Sequence, residues 1–267
     1  MMRVEPALRE SVVALARQAG DAILEVYGSD FAVRHKHDDS PVTAADLAAH
    51  HCIADGLRAL TPDIPVLSEE SAHLIGLQQR RAWSHLWLVD PLDGTRDFVK
   101  RNGEFSVNIA LIVDGVAEFG VIQQPVGGAL WWAQSSDGAF RRDGDAERRL
   151  QVRLPATGTL QVAASRSHRD PRTDALLQRL ADVNAVAQGS SLKFCRIAEG
   201  DIDLYPRYGP TSEWDTAAGQ VIVEQAGGVV LDLQGRPLRY NRRDTLLNGE
   251  FVAAGDPALL TLVQDTP

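Results

Sequence analysis

The chain has 267 residues, 44% of them hydrophobic and 24% charged, enough apolar material for one large domain or two closely packed lobes. Its 27 basic and 36 acidic residues leave a formal charge of −9, and with no basic stripe this excludes a general nucleic-acid binder. Cys52 and Cys195 lie far apart in helical apolar patterns; they are expected as buried thiols rather than a disulfide, which points to a cytoplasmic compartment. Residues 1–6 lack the apolar core of a signal peptide, and no apolar run is long enough to span a bilayer. A transmembrane segment is therefore not expected, while loose association with the inner membrane face stays open.

In chain order, Pro6 suits a first helical turn, and Leu8, Val12, Leu15, Ala19, Ile23 and Val26 recur at helical spacing until Gly28. Phe31 to His35 alternates like a strand. After the polar turn Asp38-Asp39-Ser40-Pro41, the pattern predicts a helix from about Ala44 to Leu60, stopping before Pro62. Val66-Leu67 reads as a short strand ending at Ser68-Glu69-Glu70, with a helix through Leu77 after it. Ser106 to Val113 and Val116 to Gln123 read as strands around the Asp114-Gly115 turn, and Ala129 to Ala133 and Gly138 to Arg141 continue the meander.

Beyond about Leu154 the pattern becomes alternating: strands at Leu160 to Ala164 and Val183 to Ala187, helices at Pro171 to Leu180 and Ser190 to Ala198. A further helix, Glu213 to Ala226, is closed by Gly227-Gly228, and Val229 to Leu231 and Phe251 to Ala253 are further strands. The change near residue 154 divides the chain into an expected N-terminal lobe, 1–153, and a C-terminal lobe, 154–267. No flexible linker marks the division, so tight packing of the two is expected.

The most informative stretch is Trp87-Leu88-Val89-Asp90-Pro91-Leu92-Asp93-Gly94-Thr95. An apolar run stops at two carboxylates, which can hold a hard divalent cation through oxygen ligands. The amides around Gly94 and Thr95, at an expected helix start, can receive a phosphate. Metal and phosphate at one turn suggest metal-assisted hydrolysis of a phosphate ester. Asp46, Glu69 and Asp215 stand at the ends of other elements, where they can converge on the same edge of a layered fold. An all-oxygen set suits magnesium better than zinc.

Ser68-Glu69-Glu70-Ser71, Asp90-Pro91-Leu92-Asp93-Gly94-Thr95 and Glu213-Trp214-Asp215-Thr216-Ala217-Ala218-Gly219 together resemble the inositol monophosphatase superfamily of magnesium-dependent phosphatases. Residues 100–111, 165–168, 189–195 and 203–211 resemble its branch of CysQ-type 3'(2'),5'-bisphosphate nucleotidases. The resemblance implies an α/β fold layered as an αβαβα sandwich of the inositol monophosphatase and sugar phosphatase type. It also implies removal of the 3'-phosphate from adenosine 3',5'-bisphosphate, or its sulfated form, giving AMP in sulfur assimilation.

Carried over residue by residue, the resemblance makes Glu69, Asp90 and the Leu92 carbonyl ligands of one magnesium ion, and Asp90, Asp93 and Asp215 ligands of a second. Gly94 and Thr95 become the phosphate-binding turn, and Asp46 the carboxylate that orients the Thr95 hydroxyl. Two such cations address both ends of the displacement. Glu69 belongs with Thr95 and Asp46 in the catalytic group, and Asp93 and Asp215 also reach substrate.

A lone threonine before a helix is usually an N-cap and an acid within a helical pattern is usually solvated, so Thr95 and Asp46 each keep that alternative. Glu70 and Asp97 carry no assigned role. The histidines lack metal-ligand spacing and read as surface or packing residues, with His168 as an alternative pocket residue; Trp131-Trp132 reads as packing. Lys193 and Arg166 are the candidates for the second phosphate of a bisphosphate nucleotide, against the alternative that both are solvated. Inositol monophosphate or a sugar bisphosphate remains the rival substrate. A non-catalytic binding protein has no need of both Asp46 and Thr95. The expected partner is a small phosphorylated nucleotide; monomer and homodimer stay open.

Overall fold

The computed structural model describes residues 4–30, 32–35, 41–165 and 170–264. Helix α1 spans Pro6–Tyr27, with Val12, Ala16, Ala19 and Ile23 on its buried face. Strands β1 (Arg34–His35) and β2 (Pro41–Val42) form a small antiparallel pair leading into α2 (Ala44–Leu60). Phe31 and His37 to Ser40 lie outside the described residues, as do Arg166 and His168.

Seven strands follow: β3 (Val66–Ser68), β4 (His85–Asp93), β5 (Ser106–Val113), β6 (Val116–Gln123), β7 (Leu130–Gln134), β8 (Gly138–Asp143) and β9 (Ala146–Arg149). They form one sheet in sequence order, antiparallel except for the parallel β3–β4 pair. Helices α3 (Leu77–Arg81) and α4 (Thr95–Val99) sit in its connections. The helix expected after Glu70 and through Leu77 is instead one 3-10 turn, Ala72–Leu74, with α3 beginning where that helix was expected to stop. No apolar periodicity sustains a longer helix there, and Leu74 is among the most exposed large apolar side chains.

A second, mixed sheet holds β10 (Leu160–Ser165), β11 (Val183–Gln188), β12 (Leu204–Arg207), β13 (Val229–Asp232) and β14 (Phe251–Ala254), in the order β11-β10-β12-β14-β13. Helices α5 (Pro171–Arg179), α6 (Leu192–Ala198), α7 (Glu213–Gln225) and α8 (Leu260–Gln264) complete the chain.

Side-chain alternation along the strands assigns the layers. Trp87, Val89, Ile109, Phe119 and Val121 face α1 and α2 in one apolar cluster. Their neighbours Leu86, Leu88, Ala110 and Ile122 face the other way and pack with Phe194 and Cys195 of α6 and with Ala217, Val221 and Ile222 of α7. Tyr205, Val230, Phe251 and Ala253 of the second sheet close that same cluster. Beyond them, Val162, Leu204 and Val252 meet Leu176, Leu259 and Val263. The order is helix, sheet, helix, sheet, helix, as the sequence led us to expect.

The central helix sits close to the large sheet because Gly120 has no side chain. A Cβ there would lie 2.8 Å from both Cα and O of Ala218. Both cysteines are free thiols; Cys195 is buried, whereas Cys52 is only half-buried, short of the full burial expected for it. Among the described residues, no helix is long and apolar enough to cross a membrane.

Candidate active site

Strand β4 carries the apolar run Leu86 to Val89 to its end, where Asp90 pairs with Asn108 of β5 and is almost fully buried. The register then slips before Asp93 pairs with Ser106, so a bulge separates the two carboxylates. Gly94 follows at φ +90, a left-handed conformation that favours glycine. A Cβ at Gly94 would also press on Glu104 O at 3.1 Å and on Ser190 Cβ at 3.2 Å. The residue that caps α4 is therefore Gly94, and Thr95 is the first helical residue rather than the cap.

Asp46 is the third residue of α2, and Thr43 is its cap. The Asp46 Oδ2 accepts from the Thr43 amide at 2.7 Å and from the Thr43 hydroxyl at 2.8 Å, a reciprocal capping box. Its other oxygen accepts a hydrogen bond from Thr95 Oγ1 at 3.2 Å. Far from being solvated, Asp46 is 2% exposed. The single Thr95 hydroxyl proton also has the Leu92 carbonyl within reach at 3.2 Å. Asp215 occupies the same position in α7 that Asp46 holds in α2, and accepts from the Ser212 amide at 2.8 Å.

Glu69, Asp90, Leu92, Asp93, Gly94, Thr95, Lys193 and Asp215 all line one open cavity of about 570 Å³. Asp46 lies behind Thr95. The sequence-selected residues thus converge, apart from Arg166, which falls outside the described residues. Ser191, just before α6, is tied to the large sheet here. Its amide donates to Asp93, and its hydroxyl bonds Asn108 Oδ1 at 2.7 Å and the Ser106 hydroxyl at 2.8 Å.

Burial raises the Asp93 carboxyl above its ordinary range, Lys193 opposes that, and Glu69 adds to it. Asp215 is raised further, by burial first and then by the charges of Asp93 and Glu69. Lys193 is pushed down to about 8 by burial, against the pull of Asp93. Its ammonium donates to the carbonyls of Gln188 at 3.2 Å and Ser190 at 2.5 Å and lies 5.1 Å from the Tyr205 ring centroid. Lys193 is therefore a buried pocket residue and not a solvated surface charge.

A cluster of carboxylates raised by burial and by one another is the donor chemistry a hard divalent cation fits, since a cation favours the ionised form of all of them at once. Among the described residues, no three histidine, cysteine or acidic side chains stand close enough together to form a metal-holding group as they are. Each of Asp90, Asp93 and Asp215 instead keeps one oxygen on a backbone amide.

Other residues at or beside the pocket also carried no assignment from sequence. Arg207 lines the cavity from the end of β12. Asp97 lines it too and is buried, accepting from Asn102 at 2.8 Å. Asn108 braces Ser191 from inside an otherwise apolar strand, and that lone amide between Val107 and Ile109 was the available signal.

A model of the inositol monophosphatase family matches residues 6–266. The chain belongs to the inositol monophosphatase family. Its members are metal-dependent, generally on magnesium. The chain is 50% identical over 244 residues to the 3'(2'),5'-bisphosphate nucleotidase CysQ of Escherichia coli strain K12, covering 91% of this chain and 97% of that protein. The crystal structure of CysQ from Bacteroides thetaiotaomicron superposes with a TM-score of 0.81 at 38% identity, over 92% of this chain and 96% of that one. The extragenic suppressor protein suhB of Bartonella henselae gives 0.80 at 26% identity, over 97% and 98%.

Proposed function

We propose that this family member is a magnesium-dependent 3'(2'),5'-bisphosphate nucleotidase, hydrolysing adenosine 3',5'-bisphosphate and its sulfated form at the 3' position in sulfur assimilation. The observation that carries it is the Thr95–Asp46 hydrogen bond beside a pocket lined by carboxylates. The 50% identity to a protein named for that activity supports the substrate.

Glu69, Asp90 and the Leu92 carbonyl would hold one magnesium ion, and Asp90, Asp93 and Asp215 a second. When bound, these ions supply Lewis acidity at the attacking and leaving oxygens. The chain's own residues do the rest. Thr95 Oγ1 takes the proton of the attacking water as its own passes towards the Asp46 carboxylate, which the Thr43 amide and hydroxyl hold in place. Water oxygen bonds to phosphorus, the ribose 3'-oxygen leaves, and that oxygen picks up a proton. The Gly94 and Thr95 amides orient the non-bridging phosphate oxygens. Lys193, with Arg166, offers positive charge to the second phosphate.

We further propose that the enzyme works in the cytoplasm, which its two free thiols support. The division at residue 154 is also a proposal, supported by the two sheets falling on either side of it. Phosphate release from adenosine 3',5'-bisphosphate and from inositol monophosphate, with magnesium and with excess chelator, tests the reading. Preference for the nucleotide, abolished by chelator, is expected; preference for inositol monophosphate overturns the substrate, and full activity in chelator overturns the metal.

A further inference from the structure

The stretch 241–248 crosses the start of α7 without belonging to any helix or sheet, yet it is held as firmly as one. The Glu213 amide donates to the Leu246 carbonyl at 2.8 Å, and the Asn248 amide to the Thr211 carbonyl at 2.8 Å, so Leu247 bridges Ser212 in antiparallel fashion. The Asn248 side-chain amide donates to the Ser212 carbonyl at 2.7 Å and to the Thr216 hydroxyl at 3.0 Å. At the other end, buried Arg80 donates to the Asn241 side chain at 2.9 Å and to the Arg243 carbonyl at 2.9 Å. The wholly buried Glu213 accepts from the Asn241 amide at 2.6 Å and from Arg243 at 2.9 Å. An acid with no exposure, met by an amide and a guanidinium, fixes this strap to the helix that carries Asp215.

Two adjacent leucines at the clamped point have opposite fates. Leu246 packs against the central core. Leu247 turns outward, 50% exposed, and lines the cavity, as do Trp214 and Pro210. A large apolar side chain held half-bare at a polar, acidic pocket gains nothing for folding there. It gains when a flat apolar group covers it.

We propose that Leu247 is a specificity-determining residue that forms an apolar wall for the nucleobase of the substrate. This rests on the nucleotidase reading above. Because the bridge to Ser212 already fixes its backbone, the wall contacts the base with little ordering cost. The sugar and phosphates engage the polar end, and the base is the one part of such a substrate with an apolar face.

The test compares adenosine 3',5'-bisphosphate with methyl ribofuranoside 3,5-bisphosphate, which carries both phosphates and no base. Leu247→Ala should raise KM for the nucleotide about tenfold, the worth of a small apolar contact in a pocket, and leave kcat and the base-free substrate unchanged. Leu247→Met should restore the nucleotide KM, and Leu74→Ala, remote from the cavity, should alter neither substrate. Calorimetry should show the same loss for AMP binding to Leu247→Ala. Equal impairment on both substrates, or an unchanged nucleotide KM, overturns the base wall while leaving the nucleotidase reading intact. Wild-type protein that turns over the base-free substrate but not the nucleotide overturns both.

Discussion

Asp90, at the end of β4, is 2% exposed, with Asp93 beyond a bulge and Glu69 just past the end of the neighbouring strand β3. Asn keeps its shape and still accepts from the Leu92 amide at 3.1 Å, so Asp90→Asn should preserve the circular dichroism spectrum. Activity should fall roughly a thousandfold or more, since the proposed role of Asp90 as a ligand to both cations would make it worth several kcal/mol in the transition state. Thr95→Ala is expected to lower kcat about a hundredfold or more, the usual worth of positioned proton transfer, with little change in magnesium affinity by calorimetry. Lost affinity with normal turnover at saturating magnesium would reject its assigned role. Lys193→Met keeps the buried stem and removes the charge. It should raise KM for adenosine 3',5'-bisphosphate about tenfold, the value of one charge-assisted phosphate contact, and barely change inositol monophosphate hydrolysis.

Between elements, α1 is clipped to the large sheet at Glu10, which accepts from Arg142 of β8 at 2.6 and 2.9 Å. The Arg142 hydrogen bond holds the Glu10 carboxyl at about 2, below its ordinary 4.5. A lowered acid favours the folded state fully above its unfolded value and loses that support as pH falls through the folded one. Glu10→Gln should therefore lower the Tm modestly at pH 7 in dilute buffer, and the gap to wild type should narrow by pH 3. Both partners are partly exposed, so added salt should shrink the pH 7 gap as well. A gap that widens on acidification would contradict the clip. The edge strand β9 beside it is exposed throughout and reads Ala-Glu-Arg-Arg, a charged edge that discourages pairing with other chains.

At the scale of the whole molecule, α7 is the shared wall between the two sheets, and its distance from the large one is set at Gly120. Gly120→Ala places a methyl against the Ala218 backbone, which no rotamer change can relieve. The expected cost is about 1–3 kcal/mol, typical of an overpacked core. The same shift carries Asp215 away from Asp90 and Asp93, so magnesium affinity should fall along with thermal stability. A variant that loses stability but binds magnesium normally would show that the acidic set does not depend on this close approach.

Elements with unbroken local periodicity were legible: Ala44–Leu60, Ser106–Val113 and Val116–Gln123 lie where their apolar patterns end at turns or caps. Strands β9 and β12 were among those that were not. The exposed β9 has no buried face to alternate against. The β12 stretch contains Pro206, which argues against a central strand; it is tolerated because pairing with β10 is confined to Val162↔Leu204, leaving Pro206 one neighbouring strand, β14. The sequence by itself also determined which carboxylates stand at element ends, since a turn motif such as Asp90-Pro91-Leu92-Asp93-Gly94 is local chemistry. The meeting of Asp46 with Thr95 across 49 positions came from the family resemblance and not from any local pattern, and only the tertiary structure decided that Ser191 ties Asp93 to Asn108 and that Leu247 turns outward where Leu246 turns in. Local patterns report how a residue faces its own helix or strand. Contacts between elements depend on which faces are left to be covered, and that is fixed only when the layers close.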